Sequence, residues 1–192
     1  MSRLSQRLRR KLVEIAWSAI RSAVLNTEMP EFDVSEPELL ERCGAFVTLK
    51  RRRDGSLRGC IGYPYPTKPL WEAVKDAAIS AALHDPRFPP VSPRELDELT
   101  LEISVLSPME QVKDISEIQV GRDGLVVRKG PLAGLLLPQV AVEYGWSREE
   151  FLSHTCIKAG LPPDEWKRRG VEIFRFTAEV FGDEDVKEQA QE

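Results

Sequence analysis

The chain has 192 residues, 42% of them hydrophobic and 30% charged, enough to bury the core of one domain or of two small lobes sharing it. A net charge of -4 excludes a global basic field for nucleic acid, and no apolar run approaches the roughly 20 residues of a membrane span. Cys43, Cys60 and Cys156, an odd number at wide spacing, argue against a disulfide framework and for a reducing, cytoplasmic setting.

Leu4, Leu8, Leu12, Ile15, Ala19 and Ala23 recur on one stripe, which predicts a long amphipathic helix ended at Met29-Pro30. Its basic start, Arg3 to Lys11, reads as a solvated helix face in preference to a transit peptide. Ser35 caps a short second helix through Arg42. Residues 45–51 and 57–63 alternate as strands around Asp54-Gly55, a hairpin turn. Pro64, Pro66 and Pro69 lead stiffly into a helix over 68–83, whose inner face is Leu70, Ala73, Val74, Ala77, Ala78 and Ala81. His84 to Pro90 is an irregular loop. Ser92-Pro93-Arg94-Glu95 is a capping box opening a short helix to Asp97, and Leu99 to Leu106 is a strand with one polar face.

Gly121 to Gly124 is a turn before a strand at 125–128, and Lys129-Gly130 turns into 132–137. Helices run from Pro138 to Gly145 and, behind the capping box Ser147 to Glu150, on to Gly160. Residues 171–181 form a last strand, and the acidic tail 183–192 frays. Hairpins and helix pairs come in blocks, so the fold class is α+β, a mainly antiparallel sheet covered by helices. Strands 45–51, 57–63, 99–106 and 171–181 are expected to share one sheet. Residues 1–108 and 169–192 would then make a larger lobe, and 109–168 a smaller inserted one.

The segment Leu57-Arg58-Gly59-Cys60-Ile61-Gly62 is the leading site candidate. Alternation puts Arg58, Cys60 and Gly62 on one face, where a guanidinium near a thiol favours thiolate. Gly59 and Gly62 weaken a strand and so signal close approach by a ligand or another backbone. The competing reading buries Cys60 as a small residue under the alanine-rich helix. In the following loop, His84, Asp85 and Arg87 offer an imidazole, an acid and an anion clamp; the alternative is an Asp–Arg pair bracing the loop with Phe88 as its plug. Lys158 could pair with Cys156, which also fits a buried helix face. The scattered Cys and His residues lack metal-ligand spacing, so no metal site is expected, and the sequence leaves any cofactor unknown. Lys50-Arg51-Arg52-Arg53 is a basic hairpin tip without the interleaved aromatics of a nucleic-acid site.

Further segments join the hexapeptide in order: Gly44 to Leu49, Asp85 to Pro90, Ser104 to Pro108, Gly121 to Leu125, Leu136 to Gln139 and Lys158 to Leu161. With these the chain resembles the AMMECR domain family from its first helix to its last strand, and the hexapeptide at 57–62 matches the family signature without departure. The resemblance implies an α+β structure of two unequal lobes with a cleft between them. It implies no reaction, because the family's biochemical function is not established. The company such domains keep in prokaryotes, Memo-like proteins and radical SAM enzymes, implies a shared modification pathway by association only.

Three functions compete. The first is an enzyme or cleft-binding protein acting on a small molecule or polypeptide segment, with Cys60 as nucleophile or contact, Arg58 its activator, and Gly59, Gly62, Asp85, Arg87, His84 and Lys158 in binding roles. The second is a non-catalytic adaptor for a protein partner, with Cys60 structural. The third, a nucleic-acid contact through 50–53, is disfavoured by the charge balance.

Overall fold

A computed structural model describes residues 4–187. The described residues form two compact units: 4–105 together with 179–187, and Leu106–Ala178.

The first unit opens with α1, Gln6–Leu25. Ser5 caps it by accepting a bond from the Leu8 amide, and Leu8, Leu12, Ile15, Ala16, Ala19 and Ile20 are buried along its stripe. The helix stops before Met29-Pro30. Asn26 takes the left-handed conformation (φ 53°), which its short polar side chain tolerates. In α2, Pro37–Leu40, Ser35 is not the cap; Glu36 stands at that position with its carboxylate turned to Lys11 and Arg7.

β1, Ala45–Arg51, and β2, Leu57–Tyr63, pair antiparallel, with Thr48 opposite Cys60 and Phe46 opposite Gly62. The connection is longer than a two-residue turn. The Gly55 amide donates back to the Arg51 carbonyl (2.8 Å), Gly55 alone takes positive φ, and the register slips between Leu49 and Lys50. β3, Leu99–Leu106, pairs on the other side of β1, with Ser104 opposite Phe46 and Glu102 opposite Thr48.

α3, Leu70–Leu83, packs on β1 and β2, and α1 packs on α3. Its alanines are almost fully buried, so the helix lies close to the strands. The closeness is tightest at Gly59, where any Cβ would collide with the backbone carbonyl of Ala81. Behind the loop 84–91, the Ser92/Glu95 capping box forms as predicted and opens a 3-10 helix, Pro93–Glu98.

The second unit holds β4 (Glu110–Gln111), β5 (Asp123–Lys129), β6 (Leu132–Leu136), α4 (Pro138–Glu143) and α5 (Arg148–Lys158) around Ile118, Leu125, Ala141, Phe151 and Leu152. The last strand, β7, is Glu172–Gly182. Its residues 172–177 pair with β5, and Phe174 and Arg175 also pair with β4, while its end, from Glu179, belongs to the first unit, where β7 is the neighbour of β3 in the shared sheet, as expected. Alternation identifies a strand and its faces but not its neighbour. The start of the expected frayed tail is a helix, α6 (Asp183–Lys187). It is tied down by the Asp183 carboxylate, which accepts bonds from Trp17 Nε1 (2.7 Å) and the Leu101 amide (2.8 Å). Residues 188–192 lie outside the described residues.

Candidate functional site

Arg58 turns its charge to a carboxylate. Its side chain is 3% exposed, and its guanidinium donates to both carboxylate oxygens of Glu95 (2.8 and 3.3 Å) with the Phe88 ring 5.9 Å away. A guanidinium taken out of water requires such a partner, because its desolvation cost is otherwise uncompensated. Glu95 also accepts from the Ser92 amide and hydroxyl, and these bonds with Arg58 hold its carboxyl down at about 2. The capping box and the buried ion pair thus share one carboxylate.

Cys60 is gripped through its backbone. β2 pairs with β1 on one side; on the other, the Cys60 amide donates to Asp85 Oδ2 (2.8 Å) and Arg87 Nη2 donates to the Cys60 carbonyl (3.1 Å). Arg87 also makes a two-pronged pair with Asp85 (2.9 and 2.7 Å), and Asp85 Oδ1 accepts from the Arg87 amide. Side chains of the loop therefore take the place of a neighbouring strand at this one residue and satisfy an edge that would otherwise be open. Asp85 is 4% exposed, and the Arg87 guanidinium holds its carboxyl far below the usual carboxylate range.

The Cys60 thiol lies on the face of the hairpin away from α3. Cross-strand partners share a face, so Cys60 stands with Thr48 and Glu102, and Gly62 with Phe46 and Ser104. Thr48 Oγ1 donates to Cys60 Sγ (3.2 Å). Cys60 is therefore not under the alanine-rich helix; Gly59 is the residue there, and Gly62 makes room for the Phe46 ring on the opposite face. Burial pushes the Cys60 thiol above its ordinary 9.0, against the Thr48 hydroxyl and the Arg87 charge, which favour the thiolate. Ser104, 1% exposed, has a hydroxyl with no hydrogen-bond partner among the described residues.

Among the described residues, no hydrogen bond or ion pair joins the side chains of the other candidates, His84 and Lys158, to this cluster. His84 is the exposed C-cap of α3, and its imidazole makes no bond among the described residues. Lys158 is exposed at the last turn of α5 in the second unit, and Cys156 is fully buried on the same helix. Cys43 is buried, and burial raises its thiol to about 11. At the hairpin tip, Arg53 pairs with Asp54, and Arg52 reaches the Leu99 carbonyl and Glu184. Thr48 and Glu95 are the residues that sequence reasoning missed. Strand pairing would have pointed to Thr48, but Glu95 carried only its local capping signal.

Among the described residues, no group of three or more His, Cys, Asp or Glu side chains could hold a metal ion, and no helix is long and apolar enough to cross a membrane.

These features define an α+β protein with antiparallel strands whose hexapeptide strand is locked at an edge by an Asp–Arg pair. The AMMECR1 family model matches residues 13–181, and the chain belongs to that family. A Thermococcus gammatolerans protein is 55% identical over 184 residues, covering 90% of this chain and 89% of the relative. A Methanocaldococcus jannaschii protein is 53% identical over 154 residues, covering 77% of each. The crystal structure of an uncharacterized protein from Pyrococcus horikoshii matches with a TM-score of 0.84 at 49% identity, over 91% of this chain and 90% of that one. None of these names assigns an activity.

Proposed function

We propose that this chain is a binding protein whose working surface is the Cys60 face of β1 and β2, taking a small molecule or polypeptide segment by contacts to a protonated thiol. The raised Cys60 pKa carries the reading: the guanidinium that acts on the thiol, Arg87, is committed to Asp85 and to the Cys60 carbonyl, and burial outweighs it. Arg58, Asp85 and Arg87 are then positioning residues. Thr48 presents the thiol. An activated nucleophile would instead need a cation free to face the sulfur.

The test is the rate of iodoacetamide labelling at each cysteine, read by peptide mass spectrometry from about pH 6 to about pH 10. Cys60 is half-buried while Cys43 and Cys156 are buried, so it should label first, at a rate still climbing above pH 9.0. A rate that levels off below about pH 8 would reveal a preformed thiolate and restore the enzyme reading.

A further inference from the structure

The second unit carries an aromatic ladder that no part of the Cys60 site uses. α4 stops at Gly145, which takes a left-handed φ of 66°, and the Trp146 amide reaches back to the Ala141 carbonyl (2.9 Å). That closure is a Schellman-type helix end, which turns the following apolar side chain inward, and Trp146 packs against the core of the unit. The next residue, Ser147, caps α5, and the helix brings His154 back over the indole. The Trp146 and His154 rings stack at 3.8 Å and 4° between planes, and Tyr144 stacks on Trp146 at 4.9 Å and 14°. Capped helix ends on both sides fix the ladder without a ligand.

Its outer rung is open. Tyr144 is 69% exposed, the most exposed large hydrophobic side chain among the described residues. Glu143, its neighbour in sequence, and Glu149, in the first turn of α5, are exposed and make no ion pair or hydrogen bond among the described residues. Glu150 is occupied with Ser147. The cations of this region point elsewhere: Arg148 donates to the Ile118 carbonyl, and Lys158 is one turn beyond His154 at the opposite end of α5 from Glu149. The Tyr144 end is therefore an exposed aromatic face, with uncommitted carboxylates next to it in the chain at Glu143 and at the start of the following helix at Glu149.

We propose that the Tyr144 end of the ladder docks a basic polypeptide segment, an arginine of which lays its guanidinium on the tyrosine ring while the chain beside it pairs with Glu143 and Glu149. Arginine fits better than lysine because its planar group both stacks and pairs with carboxylates in a fork. A nucleobase could stack on the same ring, but its phosphates would meet the two carboxylates.

The experiment is fluorescence anisotropy with the intact chain at low ionic strength, using short labelled peptides of alternating arginine and glycine, or lysine and glycine, and a single-stranded oligonucleotide. The arginine peptide should bind, and the lysine peptide should bind more weakly. Tyr144→Ala, a surface change that should leave the thermal melt alone, should weaken the arginine peptide about two- to fivefold and remove its advantage over lysine. Glu143→Gln with Glu149→Gln should weaken both peptides. Equal affinity for the two peptides, indifference to Tyr144→Ala, or preference for the oligonucleotide would each overturn the proposal. So would self-association of the chain abolished by Tyr144→Ala, which would give the ladder to a second copy.

Discussion

Asp85 with Arg87 in the first unit and Asp123 with Arg122 in the second are built alike. In each, an aspartate side chain 2% exposed takes a two-pronged grip from an arginine about half in solvent, and the same aspartate accepts a backbone amide. The difference lies in what is gripped. Asp123 accepts from Gln119 and Arg122 donates to the Glu117 carbonyl, so that pair closes its own turn. Asp85 and Arg87 reach the amide and carbonyl of Cys60, far back in the chain, and close the edge of a strand. The same chemistry is a local brace in one unit and a long-range clamp in the other, and only the clamp fixes a candidate functional side chain.

A third pair reverses the exposures and sharpens the comparison most. At Arg58–Glu95 the guanidinium is buried and the carboxylate is 29% exposed. Glu95→Ala strands a charge away from water and should cost about 3–5 kcal/mol in urea unfolding, whereas Arg58→Met removes that charge and should cost about 1–2 kcal/mol. Equal losses would mean that the pair is not effectively buried.

The two aspartates come next. Asp85→Asn and Asp123→Asn should each cost about 2–3 kcal/mol, because each loses charge-assisted bonds at a buried site. Only Asp85→Asn should speed amide exchange at Cys60 and change its alkylation rate. The same change from Asp123→Asn would break the distinction between clamp and brace.

The glycines give a comparable or smaller effect. Gly59→Ala drives a methyl into the Ala81 carbonyl and Gly62→Ala drives one into the Phe46 ring and the Ala45 carbonyl, so each should cost about 1–3 kcal/mol, Gly59→Ala the more because its backbone clash is the closer. Thermal melts that rank them the other way would place the close approach on the wrong face.

The smallest effect is on pH dependence. Glu95 titrates at about 2 when folded, against an ordinary 4.5. A depressed carboxylate stabilises the fold fully above its unfolded value and loses that contribution as pH falls through the folded one. Stability should therefore decline from about pH 4.5 toward pH 2, and Glu95→Gln should flatten that slope in urea titrations. An unchanged slope would remove Glu95 as a contributor.

Much of the fold was legible because its signals are short. The α1 stripe, the 45–63 hairpin and the capping boxes at Ser92 and Ser147 depend on residues a few positions apart, and periodicity and caps report such neighbours directly. The approach of Asp85 and Arg87 to Cys60 was also within reach, since a helix of known rise returns the chain toward the strand that feeds it. The hairpin tip was less so: Asp54-Gly55 marked the turn, but the slip at Leu49 and Lys50 lengthened it.

The sequence by itself determined which faces are apolar, most of the helices and strands but not α6 or β4, and that Cys60 sits in a strand weakened by two glycines. Tertiary structure alone decided that Arg58 spends its charge on Glu95, that Cys60 faces Thr48 instead of α3, and that β7 pairs with β5 up to Thr177. The reason is physical. Backbone periodicity acts over a few residues, whereas the partner of a buried charge or a strand edge is whichever complementary group the packed chain brings within reach once water is excluded.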